Sequence, residues 1–379
     1  MSTATADLRG MRRALALARR AFGETSPNPR VGAVIARNGV VLGEGYHSRA
    51  GEAHAEVEAI RDAKRRGKRI LGATLYVSLE PCSTQGRTPP CTAAILAAGI
   101  GRVVVAAVDP NPQHAGRGLQ ALKRAGVLVE QGLMAEEATR LNEAFNHWIV
   151  HRTPFVCVKA AMTLDGKIAT ARGESKWITG SESRALAMRL RQGADAILVG
   201  VNTILLDDPS LTIRALPGSG LRRVKSELKR VVLDSKARTP VKAKLLTDGH
   251  SDQTIIVVSR DASARRVAAL RRRGAQVWVA PQRQGRVDLG WVLKKLGALE
   301  VTQLLVEGGG EVNASFLLEG WAHRVAFFYA PKVLGGRDSR RGVAGDGVES
   351  LAAAPRLHAM EWKRLGADLF VTGLVRGMD

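Results

Sequence analysis

Four residues in one stretch have the types and spacing to do chemistry: His54, Glu56, Cys82 and Cys91. One histidine and two cysteines are soft or borderline ligands that suit a tetrahedral Zn²⁺, one ion per chain. Three protein ligands leave a fourth position for water, as in a catalytic zinc; a structural zinc would take a fourth side chain. His47 and His114 could offer one, but both lie outside the motif. Glu56 is placed to take the proton that such a water loses and to pass it on.

Histidine-x-glutamate followed by proline-cysteine and a further cysteine is a zinc-deaminase signature, in which hydroxide attacks an amino-bearing ring carbon. One spacing is unusual. Nucleic-acid and nucleoside deaminases commonly put two residues between the cysteines, whereas Cys82 and Cys91 have eight between them.

The elements that must hold these residues follow from periodicity. Leu8, Met11, Leu15, Ala18 and Phe22 keep helical spacing. A strand over 31–36, the hairpin signal Asn38-Gly39 and a return strand over 40–43 come next. Residues two apart do not share a helix face, so His54 belongs at the mouth of a helix running to Lys64. A strand over 74–79 leads to Cys82, and Pro89-Pro90 precede a helix over 91–98. A helix N-terminus favours thiolate. Strands over 102–108 and 127–130, with helices over 119–124 and 135–149, complete an α/β domain spanning 1–150.

A second domain spans 154–379. Apolar strands over 155–161, 196–201, 230–233, 254–259, 276–280 and 303–306 alternate with helices, which implies a mostly parallel sheet covered on both faces. Strands over 324–330 and 368–375 add to its end, and 214–229 reads as a surface loop. Cys157 is a small buried hydrophobe. Glu307-Gly308-Gly309-Gly310 sits at a strand-to-helix turn, where backbone can approach a pyrophosphate. It lacks the full Gly-x-Gly-x-x-Gly pattern, so a Rossmann fold is not indicated.

Apolar content of 45% and charged content of 24% are those of a globular protein, and no apolar run is long enough to span a membrane. Three cysteines, two of them assigned to metal, point to a reducing cytoplasm. The formal charge of +22 allows polyanion binding, but aromatics are only 4%, which leaves little for base stacking. The charge suits phosphate-bearing ligands better than a polynucleotide.

Taken together, the two halves resemble the bifunctional riboflavin-biosynthesis deaminase/reductase family along nearly the whole chain. The resemblance rests on Thr25-Ser26-Pro27-Asn28-Pro29-Arg30, His54-Ala55-Glu56-Val57, and Leu79-Glu80-Pro81-Cys82 through Gly86-Arg87-Thr88-Pro89-Pro90-Cys91. In the second half it rests on Thr163-Leu164-Asp165-Gly166, Gly173-Glu174-Ser175-Lys176-Trp177-Ile178-Thr179, Asp207-Asp208-Pro209 and Glu307-Gly308-Gly309-Gly310. The wide cysteine gap is this family's own spacing. The pattern departs from the family at Thr84, where a histidine is common.

The resemblance implies a cytidine-deaminase-like α/β/α domain and a dihydrofolate-reductase-like α/β domain. It implies zinc-dependent deamination of a phosphoribosylated diaminopyrimidinone, then NADPH-dependent reduction of its ribosyl group to ribityl. Carried over to this chain, the zinc ligands are His54, Cys82 and Cys91, and Glu56 is catalytic. Asn28 and Arg87 would meet the deaminase substrate. Cofactor contacts would fall on Ala161, Trp177, Thr203, Asp207, Ser235, Gly309, Gly310, Glu311, Val312, Asn313, Ala314 and Ser315. Reductase substrate contacts would fall on Ser175, Arg191, Leu211, Arg214 and Glu307, with the two arginines suited to phosphate. A small-molecule partner, no nucleic acid, no membrane and a cytoplasmic location follow, with a homo-oligomer left open.

The rival reading is a deaminase of nucleic-acid bases with a basic C-terminal binding domain. The wide cysteine gap and the lack of an RNA-binding module count against it. A non-catalytic structural zinc is disfavoured by Glu56 beside a three-ligand site.

Overall fold

A computed structural model describes residues 3–84, 89–220 and 227–375. The chain divides into two compact units, Met1–Arg152 and Thr153–Asp379.

The first unit runs α1 (Thr3–Ala18), β1 (Gly32–Arg37), β2 (Val40–Tyr46), α2 (Ala55–Arg65), β3 (Thr74–Leu79), α3 (Cys91–Ala97), β4 (Arg102–Ala107), α4 (Arg117–Arg124), β5 (Leu128–Gln131), α5 (Ala135–Leu141) and α6 (Glu143–His151). Its sheet has the order β2-β1-β3-β4-β5, antiparallel around β1 and parallel from β3 onward. Successive side chains of a strand point to opposite faces, and both faces here are covered. Ala33 and Ile35 pack with Ala59, Ile95 and Leu122 of α2, α3 and α4. Val34 and Ala36 pack with Met11 and Leu15 of α1. The result is three layers.

The hairpin forms at the expected dipeptide, with φ of 50° at Asn38 and 78° at Gly39. Two positive φ values in a two-residue loop match the right-handed twist of the flanking strands. Beyond the turn β2 is longer than the sequence suggests, because Gly43 and Gly45 let α2 lie directly on it. A Cβ on Gly43 would stand 2.3 Å from the Ala59 carbonyl oxygen, and one on Gly45 2.4 Å from that of Ala55. The helix expected over 135–149 is broken at Asn142. There the side chain leaves the helical pattern to pair with the Arg30 backbone, accepting from its N–H at 2.9 Å and donating to its carbonyl at 3.0 Å.

The second unit runs β6 (Phe155–Thr163), β7 (Lys167–Ala169), α7 (Ser181–Gly193), β8 (Ala196–Gly200), α8 (Val201–Asp207), β9 (Lys229–Leu233), β10 (Thr254–Ser259), α9 (Ala264–Arg272) and β11 (Gln276–Ala280). A hairpin of β12 (Gln282–Arg283) and β13 (Arg286–Val287) follows, then α10 (Leu289–Ala298), β14 (Gln303–Val306), α11 (Gly310–Leu318), β15 (Arg324–Ala330), β16 (Arg340–Arg341), β17 (Leu357–Leu365) and β18 (Asp368–Val375). Nine strands form one sheet in the order β11-β10-β9-β8-β14-β6-β15-β18-β17. The ladder is parallel from β11 through β15, and the last two strands add on antiparallel.

Val156 and Val158 face one core with Leu293 and Phe316, while Cys157 between them faces the other with Ile197 and Val199. Cys157 is 1% exposed, a packed hydrophobe as its context implied. Within the expected surface loop, 214–220 has no regular structure, 221–226 lies outside the described residues, and β9 begins at Lys229. Among the described residues no helix is long and apolar enough to cross a membrane.

Candidate active sites

The first site is built on two helix starts and a strand end. His54 is the N-cap of α2, extended at φ −72°, ψ 162°. Cys91 is the first residue of α3, and Cys82 lies three residues past β3. Cys82 Sγ accepts the Cys91 backbone N–H at 3.3 Å, so the donor-rich start of α3 faces that sulfur. His54 Nδ1 stands 3.2 Å from Cys91 Sγ and 3.6 Å from Cys82 Sγ. Tetrahedral Zn–N and Zn–S bonds of about 2.0 and 2.3 Å would set these atoms about 3.5 Å apart, so the donor set fits zinc in both kind and spacing. All three ligand atoms lie within 4.8 Å of one another. The Cys82 thiol is lowered from the ordinary thiol range, first by the hydrogen bond from Cys91 and next by that of His54, against burial.

Glu56 is 3% exposed on the first turn of α2. Burial pushes its carboxyl up to about 7, which gives a group that can hold or release a proton near neutral pH.

Neighbouring residues that the motif does not reveal complete the pocket. His47 is 2% exposed, and its ring meets that of His54 edge-on at 5.3 Å. Its Nδ1 is 3.2 Å from the Ala53 carbonyl, an acceptor, so Nδ1 carries the hydrogen. Nε2 is then the acceptor for Asn28 Nδ2 at 3.1 Å. Both nitrogens are engaged, so His47 is no fourth ligand, and the Asn28 amide oxygen is turned away from it. Glu80, 6% exposed, accepts backbone N–H groups from Asp109, Gly116 and Gly118 at 2.8–3.1 Å. That carboxylate fastens the loop before α4 to the strand end that carries Cys82. From the same loop, His114 Nδ1 comes to 3.5 Å from Thr84 Oγ1. Arg87 lies outside the described residues.

The second site gathers at the carboxyl ends of the parallel strands. Glu307, just past β14, is 12% exposed. It takes two bonds from Arg191 at 3.0 Å, and Lys159 Nζ lies 3.6 Å away. Burial opposes ionisation of Glu307, but Arg191 and Lys159 outweigh it and hold the carboxyl at about 2. Arg191 also donates to the Thr212 carbonyl at 2.9 Å. Its guanidinium is therefore spent on protein partners, while Arg214 is exposed.

Glycine 309, at φ 77°, caps α11, and a Cβ on Gly310 would stand 2.3 Å from the Arg341 carbonyl oxygen. Side chains border it too: a Cβ on Gly308 would stand 2.3 Å from Val312 Cγ1, and one on Gly310 2.9 Å from Ala344 Cβ. Asn313 Nδ2 donates to the Gly342 carbonyl at 2.8 Å, while its buried Oδ1 has no hydrogen-bond partner among the described residues. An anion-approachable turn at a helix start with an unmet acceptor beside it fits a dinucleotide.

The other residues carried over from the family have the following surroundings. Ala161 follows Lys159 on the same face of β6. Ser175 Oγ donates to Asp207 at 3.4 Å. Thr203 is half-buried on α8 and Ser235 half-buried past β9. Trp177 is 64% exposed, with Arg184 at 4.9 Å over its ring. Glu311, Val312, Ala314 and Ser315 continue α11 from the glycine turn. Leu211 is packed in the core. Asp165 accepts from Thr163 Oγ1 at 2.6 Å and from the Leu334 and Gly335 N–H groups at 3.1 and 2.7 Å. It organises a turn.

Comparison with known proteins places both units. Residues 4–107 match the cytidine and deoxycytidylate deaminase zinc-binding region, and residues 154–371 match the RibD C-terminal domain. The riboflavin biosynthesis protein RibD of Actinobacillus pleuropneumoniae is 41% identical over 369 residues, covering 97% of this chain and 95% of that protein. RibD of Aquifex aeolicus is 42% identical over 367 residues, covering 96% and 97%. Among solved structures, Acinetobacter baumannii RibD has a TM-score of 0.86 at 35% identity, covering 98% of this chain and 99% of that one. A Thermotoga maritima diaminohydroxyphosphoribosylaminopyrimidine deaminase/5-amino-6-(5-phosphoribosylamino)uracil reductase has a TM-score of 0.84 at 31% identity, covering 98% and 99%. The cytidine-deaminase-like and dihydrofolate-reductase-like folds implied by the sequence are those of these relatives. The chain belongs to the RibD family of bifunctional riboflavin-biosynthesis enzymes, which join a zinc-binding deaminase domain to an NADPH-using reductase domain.

Proposed function

We propose that the unit Met1–Arg152 hydrolytically deaminates 2,5-diamino-6-(5-phosphoribosylamino)pyrimidin-4(3H)-one. The unit Thr153–Asp379 then reduces the ribosyl group of the product, giving 5-amino-6-(5-phosphoribitylamino)uracil. The observation that carries this reading is the three-ligand set of His54, Cys82 and Cys91 with buried Glu56 on the same helix start. When bound, zinc supplies a Lewis acid that makes water a stronger acid, and NADPH supplies the reducing equivalents.

Glu56 takes a proton from the attacking water and delivers it to the ring nitrogen, then carries the proton of the newly added hydroxyl to the leaving amine, which departs as ammonia. Asn28, its amide fixed by His47, presents an oxygen that accepts an N–H of the pyrimidine. In the reductase unit the Gly308–Gly310 turn receives the coenzyme pyrophosphate, and α11 contributes Glu311 through Ser315 alongside it. Arg191, Glu307 and Lys159 form a charged wall for the ribose chain, and exposed Arg214 is free for its phosphate. The three free cysteines suit a reducing cytoplasm.

The test is to incubate the enzyme with the diaminopyrimidinone ribotide, with and without NADPH, and weigh the products. Without NADPH the mass should change by one amino-for-oxygen exchange, and with it two hydrogens should be added. Glu56→Ala should keep its zinc, and should oxidise NADPH when given the deaminated substrate, yet release no ammonia from the diamino compound. Ammonia release at the wild-type rate would remove Glu56 from its role.

A further inference from the structure

Four loops follow adjacent parallel strands in the order β10, β9, β8, β14, and contacts tie them into one row. A Cβ on Gly200, after β8, would sit 3.5 Å from the Gly308 carbonyl oxygen of the glycine turn. Arg238, after β9, donates to Asn202 Oδ1 at 3.0 Å. Ser259, ending β10, donates through Oγ to the Ser235 carbonyl at 2.6 Å. Strands are about 4.8 Å apart, so the loops after β9 and β10 lie roughly 10 and 14 Å from the glycine turn, within the span of one nucleotide.

An unassigned pair of charges stands at that end of the row. Lys236 Nζ pairs with Asp261, and the two side chains are 58% and 48% exposed. The single Ser259 hydroxyl hydrogen is shared between the Ser235 carbonyl and Asp261 at 2.5 Å, and Asp261 also accepts from Gln282 Nε2 at 3.3 Å. An exposed ion pair adds little to stability. In a dinucleotide site a carboxylate takes up the 2′-hydroxyl of the unphosphorylated coenzyme, whereas a cation receives the 2′-phosphate. This chain holds both groups, with the carboxylate covered.

We propose that Lys236 selects the phosphorylated coenzyme in two ways, by donating to the 2′-phosphate and by masking Asp261, with Arg238 as the second cation. An ammonium has three donors, so one serves Asp261 and two remain for phosphate. This inference rests on the reading of Gly308–Gly310 as the pyrophosphate seat.

The test is calorimetric titration of the full-length protein with NADPH and with NADH, which needs no turnover. Lys236→Ala should weaken NADPH binding about 10- to 100-fold, the range for a lost charged hydrogen bond, and should tighten NADH binding as Asp261 is uncovered. Lys236→Ala combined with Asp261→Asn should recover part of the NADPH affinity and lose the gain for NADH. Arg238→Ala should weaken NADPH alone. Wild-type NADPH affinity in Lys236→Ala would overturn the proposal, and unchanged NADH affinity would overturn the masking of Asp261. Gly310→Ala separates the premise, because its Cβ would meet the Arg341 carbonyl oxygen at 2.3 Å and so displace the turn for both coenzymes alike; circular dichroism checks that the variant stays folded. If it binds both normally, the pyrophosphate seat is wrong. If it loses both while Lys236→Ala keeps NADPH, only the coenzyme selection fails.

Discussion

Replacing Glu307 by glutamine keeps the shape of the side chain and removes its charge. In the wild-type protein this carboxylate, 12% exposed, accepts two bonds from Arg191 at 3.0 Å and has Lys159 at 3.6 Å. Its carboxyl is held at about 2 against an ordinary value of 4.5, since the two cations outweigh the opposing effect of burial. At about 1.4 kcal/mol per pH unit, that difference is worth roughly 3 kcal/mol of folding stability. Leaving buried cations without their partner costs roughly 3–5 kcal/mol, which agrees. A depressed folded-state value places the stabilisation above pH 4.5 and removes it as the pH falls toward 2. Glutamine does not titrate. Wild type should therefore exceed Glu307→Gln by about 3 kcal/mol at pH 7, and the gap should narrow below pH 4.5 and vanish near 2. Five of the six tryptophans lie in Thr153–Asp379, so tryptophan emission during urea unfolding follows that unit. A gap below about 1 kcal/mol at pH 7, the scale of an ordinary exposed pair, would refute the reasoning. So would a gap that persists unchanged in acid.

Cys91→Ser should lose its zinc on dialysis, because a serine hydroxyl is a poor replacement for a thiolate ligand; a full complement by metal analysis would defeat the ligand assignment. A fragment beginning at Thr153 carries a complete nine-stranded sheet with both its cores. It should fold and oxidise NADPH when given the deaminated substrate, and a folded but inert fragment would show that the reductase unit does not act alone.

The parts of the molecule legible in the sequence are those whose causes are local. Two of the three zinc ligands, His54 and Cys91, sit at the helix starts that Ala55 onward and Pro89-Pro90 announce, and Asn38-Gly39 carries its own turn geometry. What was hidden depends on partners far along the chain. Nothing near Asn142 says that its side chain will leave the helix for the Arg30 backbone. Arg191 reads as a free phosphate ligand until the fold brings Glu307 against it. His47 belongs to no motif, and Glu80 stands in one that does not reveal its role, since their work is to orient Asn28 and to anchor the loop after β4. The pairing of Lys236 with Asp261 required two strand ends to become neighbours.

The seating of α2 on Gly43 and Gly45 bears on how the enzyme can change over evolutionary time. The distance from sheet to ligand helix is set there by backbone meeting backbone, not by the sizes of interlocking side chains. That arrangement concentrates the risk. Two glycines carry the tolerance that a whole core would otherwise share, and any side chain at either one would lift the catalytic helix bodily from its strand.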